Sequence, residues 1–182
     1  MKTYLLLIDW PKGSGKSTTI EWLKKSLSNT DFSSLDGMRS LVKKDTKDAD
    51  SSTENSKRDS DNTKAFELLA DHLKEVFERK ENAVVDSGLS EGRVDIFDTI
   101  ANKYDIKVYK FSLTAPYEVL RLRVMERDVS KGKVFDQNRF DYTFKAQQGK
   151  SFENFEIIDS NKFSPQEISE MIYLKITQMP NG

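Results

Sequence analysis

An apolar strand that runs straight into Pro11-Lys12-Gly13-Ser14-Gly15-Lys16-Ser17-Thr18 leaves a chain few folds to adopt. Tyr4, Leu5, Leu6, Leu7 and Ile8 form a run without a polar face, as a strand buried on both sides requires. After the loop, Ile20, Trp22, Leu23 and Leu27 recur at helical spacing. Gly13 and Gly15 let successive backbone N–H groups turn inward around a polyphosphate, and a helix starting near Gly15 adds its unpaired amides and the positive end of its dipole. Lys16 reaches the β- and γ-phosphates and the Ser17 hydroxyl ligates Mg²⁺. The cradle of Lys12, Gly13, Ser14, Gly15, Lys16, Ser17 and Thr18 therefore predicts a bound nucleoside triphosphate.

The full pattern has its first glycine at position 10, where this chain carries Trp10. A bulky side chain there cannot cheaply adopt a positive φ, and Pro11 pushes residue 10 into the extended region. The expectation is a cradle from Lys12 to Thr18 with the indole turned away from the phosphates or capping a neighbouring pocket.

With 182 residues, 36% hydrophobic and 32% charged, the chain suits one domain with a sizeable core and has no room for a second. No apolar run is long enough to span a bilayer, and the first strand is too short for a signal peptide, so a cytoplasmic location is expected. The absence of cysteine excludes disulfides, thiolate chemistry and cysteine-based zinc sites. A lone histidine, His72, falls in the helical pattern Ala65–Arg79 as a surface or packing residue, so the metal expected is Mg²⁺ held by oxygen. A net charge of −1 gives no global attraction to nucleic acid, and a polynucleotide would need a local basic patch.

Past the first helix, a short strand is expected at about Phe32–Leu35, with Asp36 at its carboxyl end and a short helix placing Arg39 one turn later. In an α/β sheet that edge borders the ligand crevice, where a carboxylate can take the proton of an acceptor hydroxyl and a guanidinium can hold it ionised. The plainer reading makes Asp36 a helix cap and Arg39 its exposed partner. Lys44–Lys64 has Ala49 as its sole apolar residue, and reads as a solvated loop, a substrate-ordered lid, or polar helix turns over the acceptor. Phe66, Leu68, Leu69, Leu73, Val76 and Phe77 then mark an amphipathic helix packing on the sheet.

Asn82–Ser87 is a strand whose Asp86 would hold Mg²⁺ through water or meet the acceptor. Arg93 opens the next helix (about Glu91–Tyr104) and either clamps an acceptor phosphate or lies on the surface. A fourth strand covers Ile106–Leu113, and the helix Ala115–Asp128 carries Arg123 and Arg127 one turn apart on one face. Over 121–150, basic residues outnumber acidic ones eight to four, Arg139 among them. A basic segment at about 128–150 suits a lid that neutralises a moving phosphoryl group and keeps water out. Phe155–Ser160 is the fifth strand and Ser164–Thr177 the last helix, with Ser164 as N-cap, Pro165 in first position and Glu167 completing a capping box.

Taken in order, PKGSGKST after strand one, Asp36-x-x-Arg39 after strand two, Asp86 and Arg93 after strand three, and the Arg123/Arg127 helix before a basic lid resemble the small P-loop kinases. Within them the chain looks most like the branch of the 5′-hydroxyl polynucleotide kinases and the zeta-toxin-like kinases. The resemblance implies a three-layer α/β P-loop NTPase fold whose parallel sheet has five strands in the order 2-3-1-4-5. It also implies ATP with Mg²⁺ as phosphoryl donor, Asp36 as general base, Arg39 and Arg93 at the acceptor, and lid arginines on the triphosphate. The acceptor would be a nucleoside, nucleotide or polynucleotide 5′ end, with a sugar nucleotide as the alternative.

A regulatory P-loop ATPase without an acceptor would share the loop. Asn102-Lys103-Tyr104-Asp105 has the letters of a guanine-recognition motif, but it follows a predicted helix and precedes strand four, which is the wrong place for one. A protein that binds nucleotide poorly because of Trp10 and acts through its surface is the remaining reading.

Overall fold

Strand β1 (Tyr4–Asp9) is buried along its whole length, as its unbroken apolar run demands. It lies in the middle of a five-stranded parallel sheet with β2 (Thr30–Ser34), β3 (Asn82–Asp86), β4 (Lys107–Thr114) and β5 (Glu156–Asp159), in the order β2-β3-β1-β4-β5. The computed structural model describes residues 3–9, 11–45, 54–86, 91–148 and 154–178, with the backbone alone at 44–45, 54–60, 91–93 and 147–148. Parallel neighbours require crossovers, which the helices supply. These are α1 (Lys16–Ser26), α2 (Leu35–Asp45), α3 (Glu54–Glu78), α4 (Glu91–Lys103), α5 (Tyr117–Ser130), α6 (Gln137–Gln148) and α7 (Pro165–Gln178). The fold class and strand order match the expectation.

Two elements depart from it. β2 runs from Thr30 to Ser34, starting and stopping earlier than expected, and Leu35 already belongs to α2, while Asp36 follows the strand in the first turn of that helix, as expected. The reason is local: Ser34 Oγ accepts a hydrogen bond from the Gly37 amide at 3.0 Å, capping α2 one residue earlier than the apolar pattern suggests. α3 begins at Glu54 instead of near Ala65. Residues 54–64 contain neither glycine nor proline, so nothing in them interrupts a helix continuous with the apolar face from Ala65 onward. Residues 54–64 are thus helical, as one of the three readings required, and 46–53 lie outside the described residues.

The backbone forms two compact units, Met1–Leu7 with Asn29–Val108, and Ile8–Ser28 with Tyr109–Gly182. In the first, α2 and α3 pack together and α3 turns Leu69, Leu73, Val76 and Phe77 inward, while Leu68, expected on the same face, is exposed because it lies on the far side of the helix from Leu69 and Leu73. Phe66 of α3 meets Phe97 of α4 with ring centroids 5.3 Å apart, and the β2 and β3 backbones pair from Thr30 with Asn82 to Ser34 with Asp86. His72 Nε2 lies 3.1 Å from Asp31 Oδ1, so the lone histidine ties α3 to β2 and is a packing residue, as expected.

In the second unit α1 packs on α7, burying Ile20 and Leu23 on one and Ile168, Ile172 and Ile176 on the other. Each such fully buried aliphatic side chain contributes about 2 kcal/mol. α7 starts with the expected capping box: Glu167 accepts from the Ser164 amide at 2.7 Å while Ser164 Oγ accepts from the Glu167 amide at 3.3 Å. The bond from the Ser164 amide, and after it the Ser164 hydroxyl, hold the Glu167 carboxyl below its usual pKa. α5 and α6 are joined by a cluster of Leu120, Val124 and Phe140, flanked by Tyr117, Phe135 and Phe144.

Candidate active site

The site is built outward from the loop after β1. Gly13 and Gly15 both take the left-handed conformation, at φ 89° and 90°, which a side chain would resist. Gly15 occupies the N-cap position of α1, and no side chain caps that helix. The first ladder bond runs from the Thr19 amide to the Gly15 carbonyl at 3.0 Å, with Thr19 Oγ1 donating to the same oxygen at 3.2 Å. The Ser14 amide turns back to Pro11 O at 3.3 Å, which closes the loop. Lys12, Ser17 and Thr18 are exposed and Lys16 is half-buried.

Ser14 is buried, and its hydroxyl has no hydrogen-bond partner among the described residues. An orphaned buried hydroxyl inside an uncapped, left-handed glycine loop fits a loop built around polar ligand groups. Among the described residues no cluster of three or more acidic or histidine ligands could hold a metal by itself. An Mg²⁺ here would be held by the Ser17 hydroxyl together with phosphate oxygens and water, the usual manner of a hard cation on a nucleotide.

α5 presses on the other side of the loop. A β-carbon at Gly13 would stand 2.6 Å from the Leu120 carbonyl oxygen and 3.0 Å from Val124 Cγ2, so only glycine fits. Arg123 Nη1 donates to Gly13 O at 3.4 Å and to Ser160 Oγ at 3.3 Å, and its Nη2 donates to Ser160 O at 3.0 Å. Ser160 Oγ passes the chain on to Thr114 O at 2.9 Å, at the carboxyl end of β4. Arg127 is exposed and paired with its neighbour Asp128, with Nη2 to Oδ1 at 3.0 Å. The structure thus brings Arg123 to the loop and leaves Arg127 off it. Arg139, also exposed, follows the N-cap of α6, where Asp136 Oδ1 accepts its amide at 2.9 Å.

The segment expected to form a basic lid comprises the end of α5, a turn through Gly132 and α6. A polar latch holds the two helices together. Tyr117 donates to Asp141 at 2.5 Å, Gln137 Nε2 donates to both Tyr117 and Asp141 at 2.8 Å, and Arg121 Nε donates to Gln137 Oε1 at 2.6 Å. The bond to Asp141 raises the Tyr117 pKa above that of a free phenol. Residues 149–153 lie outside the described residues.

In the other unit, Asp36 and Arg39 form an ion pair with Nη1 to Oδ1 at 2.5 Å. The carboxylate is 82% exposed and the guanidinium 33%, so the pair presents an open acid on a partly sheltered base. Arg39 Nε donates to Asn62 Oδ1 of α3 at 2.7 Å. Asp86, at the end of β3, is in register with Ser34, so the Asp36 helix and Asp86 leave the paired strands at the same end. Arg93 is in the first turn of α4 with its side chain outside the described residues, as is Trp10 altogether.

Asn62 and Ser160 are the partners that sequence reasoning missed. Neither carries a motif, and the signal available for Asn62 was its place eight residues past Glu54, on a stretch read only as polar.

The family profile AAA_33, described as AAA domain, matches residues 5–147. No curated protein sequence matches significantly. Among solved structures, the tunicamycin resistance protein of Deinococcus radiodurans is similar at 18% identity, with 96% of each chain covered and a TM-score of 0.65. A sugar kinase from Janibacter sp. superposes at 15% identity over 96% of each chain, TM-score 0.64. A chain of the Pnkp1/Rnl/Hen1 RNA repair complex aligns with 80% of this chain over 44% of its own length, at 17% identity and TM-score 0.60. At these identities the likeness is one of fold.

Proposed function

The chain belongs to the AAA_33 family of AAA domains, with the fold of the small P-loop kinases, and from that premise we propose that it is an ATP-dependent phosphotransferase. The γ-phosphoryl group moves to a hydroxyl or phosphate acceptor, a nucleoside, nucleotide or polynucleotide 5′ end. The observation that carries the reading is the loop after β1: two left-handed glycines, an uncapped helix terminus and a buried hydroxyl with no partner among the described residues.

In this reading the amides at the start of α1 and the Lys16 ammonium bind the β- and γ-phosphates, and the Ser17 hydroxyl would hold an Mg²⁺ that would supply further positive charge there. Asp36 accepts the proton of the acceptor hydroxyl as its oxygen bonds to the γ-phosphorus. The bond to the bridging oxygen breaks and ADP leaves with that electron pair. Arg39, paired with Asp36, holds its carboxylate in place, and Arg93 and Asp86 serve the acceptor, with Asp86 the residue that would also hold Mg²⁺ through water. One or more of Arg123, Arg127 and Arg139 neutralise charge on the transferred group, and Arg123, bound to Gly13 and Ser160, is the one seated at the loop. The whole of 1–182 acts as one kinase domain, and a cytoplasmic setting, where ATP and Mg²⁺ are plentiful, suits it. Among the described residues no helix is long and apolar enough to cross a membrane.

The test is ATP consumption with Mg²⁺ against pools of nucleosides, nucleotides, 5′-hydroxyl oligonucleotides of increasing length, and nucleotide sugars. Turnover that depends on one pool identifies the acceptor class. Equal turnover with and without every pool contradicts a kinase and leaves a P-loop ATPase.

A further inference from the structure

The ion pair of Asp36 and Arg39 is not self-supporting. Both side chains leave one exposed helix face three residues apart, an arrangement that by itself is weak and mobile. A bond from outside the helix changes this: Asn62 Oδ1 accepts from Arg39 Nε at 2.7 Å while Arg39 Nη1 donates to Asp36. Nε and Nη1 lie on one rigid guanidinium plane, so a fixed partner at Nε sets the direction in which Nη1 points. The partner is itself fixed, since Asn62 follows Asp61, which is buried, and lies one turn before Ala65, which is fully buried against the core.

We infer that Asn62 is the positioning residue of the acceptor carboxylate: it orients Arg39, and Arg39 holds the Asp36 carboxylate for the incoming hydroxyl. The inference rests on the reading of Asp36 as proton acceptor. It also gives the polar amino-terminal half of α3 a task that its lack of an apolar face conceals. Its role is to carry an amide oxygen to a guanidinium on the neighbouring helix, so that the base is preorganised before the acceptor arrives.

Asn62→Leu removes the acceptor oxygen at nearly constant shape, and Asn62→Asp keeps it. The expected result is a kcat/KM for the acceptor about tenfold lower in Asn62→Leu, within about threefold of the parent in Asn62→Asp, and unchanged by Asn62→Leu once Arg39→Ala is present. An equal loss in both backgrounds would show that Asn62 only braces α3, and would overturn the inference. Independently of turnover, the Arg39 Nε–H resonance, assigned by its disappearance in Arg39→Ala, should be protected from exchange in the parent and lose that protection in Asn62→Leu. Protection that persists in Asn62→Leu overturns the positioning claim even in an active enzyme. A parent protein that phosphorylates no acceptor would overturn the functional reading instead, and the resonance would then decide the positioning claim alone.

Discussion

Arg123 Nη1 donates to the carbonyl oxygen of Gly13 at 3.4 Å, although 110 residues of chain separate the two. Leu120 and Val124, on the same helix, close on Gly13 from beside it. The phosphate-binding loop therefore owes its shape both to its own glycines and to a helix supplied from far along the chain.

Gly13→Ala should cost about 3 kcal/mol of stability, since the new methyl meets a backbone carbonyl at 2.6 Å in a left-handed conformation. Gly132→Ala provides the comparison. It shares a positive φ of 67° but has nothing within 4 Å, so it should cost only about 1 kcal/mol. Urea unfolding of the two variants checks the difference, and ATP titration of Gly13→Ala should show binding lost.

Arg123→Ala should weaken ATP binding roughly thirtyfold, the equivalent of about 2 kcal/mol for a charged guanidinium bonded to backbone and hydroxyl oxygens. Arg123→Lys should recover little of it, because a single ammonium cannot reproduce the fork that reaches Gly13 and Ser160 together. Calorimetric titration with a non-hydrolysable ATP analogue measures both.

Phe140→Ala should destabilise the protein by about 3 kcal/mol and loosen α6 from α5, because Phe140 is buried between Leu120, Val124 and three aromatic rings. Tyr117→Phe, which removes only the hydroxyl bonded to Asp141, should cost about 1 kcal/mol. Amide exchange along α6 should accelerate far more in the first variant than in the second.

The capping box makes a pH prediction. Glu167 has its pKa lowered in the folded state, so the stabilisation it brings is complete above the ordinary carboxylate value of 4.5 and disappears as pH falls through the lower folded value. The melting temperatures of the parent and Glu167→Gln should therefore differ at pH 7 and converge below about pH 4.

Much of this was legible in the residues because it is local. A strand without a polar face, glycines before Lys16, and Ser164 three residues ahead of Glu167 each carry their geometry in their spacing. Asp36 and Arg39 were expected to face each other, and they do. Legibility ended where one element meets another. A periodic apolar face marked α3 only from Ala65 onward, and the polar turns from Glu54 left no trace in the pattern because their helicity continues from that face. The bonds of Arg123 to Gly13 and of Arg39 to Asn62 depend on how helices dock, which no local spacing encodes.

The most direct test follows the phosphoryl group itself. ATP labelled in the γ position is incubated with Mg²⁺, the acceptor pool that stimulates turnover, and either the parent protein or Asp36→Asn. The account predicts label on the acceptor with the parent, and a loss of at least a hundredfold with Asp36→Asn while ATP still binds. Label appearing only as free phosphate, at the same rate in both proteins, would contradict it.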